Sequence, residues 1–279
     1  IAKQMVATSQ PLAAQAGLKI LLEGGNAVDA AIASASTLTV VEPTMNGIGS
    51  DAFAMVYKDG NIFGLNASGK SPASWTPKRF SKYVEMPAEG WESVTVPGAV
   101  SGWIALSKRF GKLPFEQVLR PSIEFARHGF HVSPIVAYQW QLQSSKFINN
   151  SSFVETFMPN GYPPNAGDLF LNNAQADSLE KIANSHGKTF YVGELAERMV
   201  EDSLKHGSAL SISDLATHKA DWIEPMRTKY KNCELCELPP NGQGIAALIA
   251  LGILNEFDLG NLGENTAQSI HIQVEAMKL

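Results

Sequence analysis

The cysteines of the chain, Cys233 and Cys236, have the C-x-x-C spacing of a redox pair or of half a zinc site. A structural zinc ion needs four ligands, and the sequence contains neither a second cysteine pair nor a suitably spaced histidine pair. The segment around them, TKYKNCELCELPP, has the pattern of a strand, in which residues three apart point to opposite faces. We therefore interpret both cysteines as small buried side chains, and we predict no metal site.

Two glycine-rich segments resemble phosphate-binding loops. Residues 47–52, GIGSDA, match the letters of a dinucleotide-binding fingerprint, but that site needs a strand before it and a helix after it. Here a strand follows and none precedes, so we reject this interpretation. Residues 239–244, PPNGQG, lie between a predicted strand and a predicted helix but lack the Lys-Ser/Thr of a P-loop. We interpret them as a tight turn, of a kind that also borders active sites.

Other catalytic patterns are missing from the sequence. The six histidines are scattered, and no G-x-S-x-G elbow marks a serine as a nucleophile. No H-E-x-x-H motif or cluster of carboxylates indicates a catalytic metal. The residues taken alone therefore indicate no nucleophile and do not say what the protein does.

The composition restricts the class of protein. Of the 279 residues, 44% are apolar and 18% are charged, which is ordinary for a soluble α/β protein. The net charge is −5 and no basic run is present, which argues against nucleic acids and anionic membranes as partners. The apolar runs are far shorter than the roughly 20 residues of a membrane-spanning helix.

The elements that would position a site alternate between helices and strands. A helix rich in Ala and Ser is predicted over about 27–38, and its small residues predict close packing against a neighbour. Residues 51–66 predict a hairpin that turns at Asp59-Gly60, a favoured type I′ pair. Its first strand is apolar on both faces, so a layer is expected on each side of its sheet. This alternation predicts a layered α/β architecture.

The C-terminal part continues the pattern. A strand is predicted over 228–238 and a helix over about 244–257. In the last segment Ile270, Val274 and Met277 have the spacing of the apolar face of a helix. No capping residue follows this pattern, so we expect the native chain to continue.

Seven stretches together resemble, in the same order, the large subunit of gamma-glutamyltranspeptidases. The resemblance spans essentially the whole chain. The stretches are LLEGGNAVDAAIAS (21–34), VVEPTMNGIGSDAFAMVY (40–57), VPGAVSGW (96–103), LRPSIEFARHGFHVS (119–133), FYVGELAERMV (190–200), ISDLATHKADW (212–222) and LPPNGQGIAALIALGIL (238–254).

The resemblance implies an N-terminal nucleophile hydrolase fold, a four-layer αββα sandwich of which residues 1–279 form the large-subunit half as a single domain, incomplete at both ends. In this family a precursor cuts itself, and the nucleophile is the Thr that starts the small subunit. The implied partners are that small subunit and a small γ-glutamyl or other acyl amide, with a dimer of heterodimers as a further expectation. No catalytic residue on this chain, no metal and no cofactor is expected. The cytoplasm is favoured as compartment, with the periplasm and the exterior as alternatives.

Substrate binding is where the chain departs from the family pattern. In the transpeptidases an Arg within a pattern like F-R-E-x-A-P binds the α-carboxylate of the glutamyl group. The corresponding stretch here is LNASGKSP, 65–72, and alignment on Pro72 puts Ser68 at the Arg position and Gly69 at the Glu position. Loss of a buried bidentate contact between guanidinium and carboxylate costs about 2–5 kcal/mol.

The resemblance implies Asn66, Ser68 and Lys70 as substrate-binding residues. Ser68 would offer one hydroxyl in place of a fork of donors, and Lys70 would offer a point charge on the same side of the strand or simply be solvated. We expect weak binding of γ-glutamyl substrates, with hydrolysis favoured over transfer. Substrates whose acyl group lacks the α-amino and α-carboxyl pair, such as a glutaryl amide, should lose less affinity than γ-glutamyl substrates. The alternative is a non-catalytic family member that binds a small amide or peptide.

Overall fold

The computed structural model describes residues 2–278. The helices are α1 (Pro11–Leu22), α2 (Ala27–Val41), α3 (Pro77–Phe80), α4 (Ala99–Phe110), α5 (Phe115–His128), α6 (Pro134–Phe147), α7 (Ser151–Phe157), α8 (Asn173–Ser185), α9 (Lys188–Val192), α10 (Glu194–Lys205), α11 (Ile212–Ala216), α12 (Gly244–Leu254) and α13 (Ala267–Lys278). The strands are β1 (Ala52–Lys58), β2 (Asn61–Ala67), β3 (Phe130–His131), β4 (Leu169–Phe170), β5 (Asp221–Ile223), β6 (Met226–Tyr230) and β7 (Cys233–Glu237).

The chain divides into two compact units. Unit 1 comprises the described part of Ile1–Asp51 together with Gly69–Lys219, and it contains α1–α11 with the short β3–β4 pair. Unit 2 comprises Ala52–Ser68 with the described part of Ala220–Leu279, and it contains the remaining strands with α12 and α13. Within residues 2–278, no helix combines the length and apolar character needed to cross a membrane.

In unit 1, helices α1 and α2 pack closely through small residues, as the sequence predicts. A Cβ atom on Gly17 of α1 would overlap the side-chain oxygen of Ser34 on α2. The Ser34 hydroxyl donates to the carbonyl of Ala13 at 2.9 Å, which ties the two helices together. Asn26 begins α2 with a capping box, so the start of this helix is fixed by local hydrogen bonds.

The glycine-rich segment 47–52 joins helix α2 to strand β1. A helix therefore precedes it and a strand follows it, which is the reverse of the order a dinucleotide site requires. The carbonyl of Ser50 instead accepts backbone N–H groups of Gly98 and Ala99, at 3.1 and 2.8 Å, where α4 begins. The segment is thus a connection within the fold and lacks the order of elements that a dinucleotide site requires.

In unit 2, β1, β2 and β5 form an antiparallel sheet in that order. The predicted hairpin is confirmed, since Lys58 pairs with Asn61 across the turn. Asp59 and Gly60 have φ values of 51° and 79°, the positive angles that a type I′ turn requires. Strand β2 lies in the centre of this sheet, and β1 lies at its edge.

One face of β1 is open among the described residues. Phe53, Met55 and Tyr57 alternate along the strand and are 45%, 47% and 74% exposed. Within residues 2–278, the layer predicted on each side of this strand is thus missing from the face that carries these three side chains. The apolar pattern of a strand predicts that both of its faces are buried, but it does not predict which chain buries them.

The end of unit 2 differs from the sequence prediction in two details. The strand predicted over 228–238 is a hairpin of β6 and β7, which turns at Lys231 with a φ of 51°. Helix α13 is present, and it packs on α12 through Ile272 and Ala276. The three residues predicted to form its apolar face, Ile270, Val274 and Met277, are 48%, 51% and 61% exposed.

Candidate substrate-binding site

The predicted site begins at the end of strand β2. Asn66 lies on this central strand, between Phe53 of β1 and Asp221 of β5. Ser68 follows directly after the strand, and both Asn66 and Ser68 are half-buried. Pairing with strands on both sides therefore fixes the backbone at the Asn66 end of β2. The fixed backbone in turn fixes where the side chains of this end begin.

The turn between β7 and α12 supplies a residue that the sequence analysis did not single out. Residues 239–244 form the predicted tight connection from strand to helix. A Cβ atom on Gly244 would lie 2.8 Å from the Cβ of Glu237, so only glycine allows the chain to turn this tightly. The turn presents the exposed side chain of Asn241.

Asn66, Ser68 and Asn241 form a closed ring of hydrogen bonds within unit 2. The Ser68 hydroxyl donates to Asn66 Oδ1 at 2.7 Å, and the Ser68 backbone N–H donates to the same oxygen at 2.9 Å. Asn241 Nδ2 donates to Ser68 Oγ at 2.8 Å, and Asn66 Nδ2 donates to Asn241 Oδ1 at 3.0 Å. Each of the three side chains is thus oriented by the other two.

The ring changes what Ser68 can offer a ligand. A hydroxyl has one proton, and in Ser68 that proton is already donated to Asn66. The donors that remain belong to the amides, because Asn66 Nδ2 and Asn241 Nδ2 each use one of two N–H bonds inside the ring. The expected hydroxyl donor is therefore replaced by a pair of amide donors.

Gly69 and Lys70 belong to unit 1. A Cβ atom on Gly69 would overlap the carbonyl oxygen of Val96, so no side chain fits at the position where the family pattern has Glu. The Gly69 N–H donates to Asp51 Oδ1 at 2.9 Å, and the Lys70 carbonyl accepts the Val96 N–H at 3.0 Å. The Lys70 side chain is exposed, and its role in substrate binding stays a prediction.

A cavity of about 320 Å³ in unit 2 is bordered by the same turn that presents Asn241. Strand β1 supplies an apolar wall, and the turn supplies backbone and polar groups. This combination of apolar surface with a few polar groups is typical of small-molecule sites. Its lining comprises Phe53, Ala54, Met55, Glu237, Leu238, Gly242, Gln243 and Gly244.

The cysteines lie on strand β7, as predicted, but Cys233 is exposed and Cys236 is half-buried, so the prediction that both are buried is wrong. Cys233 pairs with Tyr230 and Cys236 pairs with Arg227 on the neighbouring strand. Three residues of extended strand span about 10 Å, which is too far for a disulfide bond between them. Among residues 2–278 no group of three or more His, Cys, Asp or Glu side chains is placed to hold a metal ion.

A contact between serine and histidine in unit 1 is structural. Ser101 Oγ lies 3.0 Å from His218 Nε2, but the Ser101 hydroxyl donates to the carbonyl of Gly98 at 2.7 Å. The Tyr191 hydroxyl donates to the Pro97 carbonyl, and burial raises the pKa of Tyr191 to about 12. The serine proton is donated to a backbone carbonyl at the start of helix α4. The pair therefore lacks the hydrogen bond from serine to histidine that activates a nucleophile.

Comparison with known proteins connects this geometry to a family. The family model for gamma-glutamyltranspeptidase matches residues 13–279. The glutathione hydrolase-like YwrD proenzyme of Bacillus subtilis is 34% identical over 279 residues, which cover 99% of this chain and 53% of that protein. The chain thus spans about half the length of this relative.

Solved structures agree with the family match. A cephalosporin acylase from Bacillus halodurans is 42% identical with a TM-score of 0.94, over 100% of this chain and 55% of that one. The gamma-glutamyltranspeptidase of Helicobacter pylori is 30% identical with a TM-score of 0.95, over 100% of this chain and 82% of that one. The fold is therefore α/β and of the N-terminal nucleophile hydrolase type, and the chain belongs to the gamma-glutamyltranspeptidase family.

Proposed function

We propose that this chain is the large-subunit half of an amidase that hydrolyses or transfers an acyl group through an acyl-enzyme on the N-terminal Thr of a second subunit. The main support is the family match over residues 13–279, in a chain that spans about half the length of its relative. The related proteins are named as a hydrolase, an acylase and a transpeptidase, which favours an enzyme over a non-catalytic binder.

The proposed chemistry depends on cleavage of a precursor. A Thr hydroxyl is a weak nucleophile at neutral pH, and the α-amine of the same residue can act as its base. That amine becomes free only when the preceding peptide bond is cut, so cleavage would switch the enzyme on. Backbone N–H groups of the second subunit would then stabilise the oxyanion. The residues of this chain would bind and orient the acyl group.

The open surfaces of unit 2 support a second subunit. The edge strand β1 exposes Phe53, Met55 and Tyr57, and an uncovered apolar edge strand is prone to aggregation. Helix α12 also exposes Ile245 and Ile249. We propose that the second subunit covers these surfaces and that both units belong to one domain, since the family match runs continuously through them.

The proposed substrate is an acyl amide that does not depend on an Arg contact. Ser68 stands at the family's Arg position, and the Asn66–Ser68–Asn241 ring contains no ionised group. A γ-glutamyl group should be held weakly here, and transfer to acceptors should be poor relative to hydrolysis. A glutaryl group lacks only the amine of the γ-glutamyl group, so comparing the two tests recognition of that amine.

Mass spectrometry of the purified full-length protein tests the subunit proposal. We expect a second polypeptide of comparable size whose first residue is Thr. An intact chain without such a partner would contradict the proposal.

Kinetics of γ-glutamyl and glutaryl anilides on the assembled enzyme test the substrate class. We expect kcat/KM to be higher for the glutaryl compound. Both compounds carry the distal carboxylate, so a strong preference for the γ-glutamyl compound would show that the assembled enzyme recognises the α-amine, and it would contradict the proposed substrate class. The role of Lys70 is tested by Lys70→Ala, which should lower kcat/KM for both compounds if its ammonium group binds that carboxylate.

A further inference from the structure

The hydrogen-bond ring at the end of β2 leaves a defined set of groups for a ligand. Asn66 Oδ1 accepts two hydrogen bonds from Ser68, which saturates it. One N–H of Asn66 Nδ2 and one N–H of Asn241 Nδ2 have no partner among residues 2–278. The ring therefore presents two neutral donors whose orientation is fixed by bonds that the same amides make.

These two donors suit an oxygen atom at the far end of an acyl group. Two N–H groups can converge on a carbonyl or carboxylate oxygen, and hydrogen bonds to an ionised acceptor are the stronger kind. Asp221, the residue opposite Asn66 on β5, is exposed, so water screens its carboxylate from a ligand in the ring. An acyl group that ends in a methyl group would leave both donors without an acceptor.

We propose that Asn241 is a specificity-determining residue that, together with Asn66, binds the distal oxygen of the acyl group of the substrate. This inference rests on the proposed function, because it places the acyl group at the position of Ser68. It assigns to the turn 239–244 a binding role in addition to its role in connecting β7 with α12. The preferred substrates are amides of acyl groups with an oxygen acceptor at the distal end.

Direct binding to the assembled full-length protein tests this assignment. The probes are glutarate and pentanoate, product-like acids of equal chain length that differ in the distal carboxylate. Isothermal titration should give a Kd about 10- to 100-fold lower for glutarate, the range expected for hydrogen bonds to a charged group. Equal affinities for the two acids, or no detectable binding of either, would overturn the proposal.

Two variants locate the effect at Asn241. Asn241→Asp keeps the size of the side chain but replaces its donor with a negative charge, and it should abolish the preference for glutarate. Asn241→Ala removes the donor without adding charge and should reduce the preference by about 10-fold. The matched control is Asn265→Asp, at an exposed position of unit 2 outside the ring, which should keep the full preference.

A role of Asn241 in merely holding the turn predicts a different result. In that case both variants would raise the Kd for glutarate and the Kd for pentanoate by the same factor, and the proposal would be wrong. The binding data also separate this inference from the proposed function. A preference that depends on Asn241 in a protein that cleaves no anilide would refute only the amidase. Cleavage of anilides with a preference that is insensitive to Asn241 would refute only the inference.

Discussion

The two ends of strand β2 are held by different kinds of interaction. At the Asn61 end, the hairpin turn is local, and Asn61 Nδ2 donates to the carbonyl of Asp59 two residues away. At the other end, Ser68 and Asn66 bond to Asn241, more than 170 residues along the chain. The turn end is fixed by backbone preference, while the far end needs a second segment to complete it. The residues assigned to substrate binding lie at the end that depends on long-range contacts.

Among the variants that distinguish the two ends of β2, Ser68→Arg should have the largest effect. It places a guanidinium where the family pattern has one, so an acyl group with a carboxylate should gain a bidentate contact. We expect kcat/KM for a γ-glutamyl anilide, relative to a pentanoyl anilide, to rise roughly 30- to 4000-fold. The matched control is Ser68→Gln, which adds length without charge. Equal ratios for the two variants would show that this end of β2 does not face the acyl group.

Between its two ends, β2 depends on a close approach at Gly64. A Cβ atom there would lie 2.7 Å from the carbonyl oxygen of Ile223 on β5. Because the obstacle is backbone of the paired strand, Gly64→Ala should lower the free energy of unfolding by about 1–3 kcal/mol. Chemical denaturation measures this change. Gly252→Ala, where a Cβ meets nothing within 4 Å in helix α12, should be neutral or stabilising, and similar losses in both variants would contradict the explanation.

Substitution at the hairpin-turn end of β2 should change stability less than substitution at Gly64. Gly60 has a φ of 79°, which L-residues adopt at a cost of about 1–2 kcal/mol. Gly60→Ala should therefore lower the free energy of unfolding by about 1 kcal/mol and leave the acyl preference unchanged. Denaturation combined with the anilide ratio checks both parts. A change in that ratio would mean that the two ends of β2 are coupled through the strand.

The hairpins of unit 2 indicate how far the sequence predicts the fold. The β1–β2 turn was predictable because Asp59-Gly60 is a pair that prefers positive φ. The β6–β7 turn was missed because Lys231 adopts a φ of 51° without a glycine, so 228–238 has the pattern of one strand. Tertiary pairing of the two strands imposes this conformation against the intrinsic preference of the residue.

Helix α13 shows a second limit of sequence analysis. The apolar spacing of Ile270, Val274 and Met277 predicted the helix correctly, but these side chains are about half exposed among residues 2–278. The face that packs on α12 includes Ile272 and Ala276. Periodicity identifies apolar residues, but it does not identify which of two apolar faces meets the same chain.

The candidate site was predictable in part. The family resemblance located Asn66 and Ser68, and the PPNGQG pattern located the turn between β7 and α12. The partnership of Asn241 with Ser68 was not predictable, because no local rule joins residues 173 positions apart. The sequence also could not predict which group accepts the Ser68 proton, because this depends on the orientation of two amide side chains.

The smallest effect expected is the coupling between Ser68 and Asn241. Their hydrogen bond spans 2.8 Å at an exposed position, so water competes for both groups, and a net contribution of about 0.5–1 kcal/mol is expected. A double-mutant cycle with Ser68→Ala and Asn241→Ala, followed by chemical denaturation, isolates that coupling. The parallel cycle of Asn61→Ala with Asn241→Ala should give none, because the Asn61 side chain bonds to the Asp59 carbonyl within the turn at the other end of β2. Equal coupling in the two cycles would mean that the variants act on the whole sheet, and the distinction between a local and a long-range end of β2 would then fail.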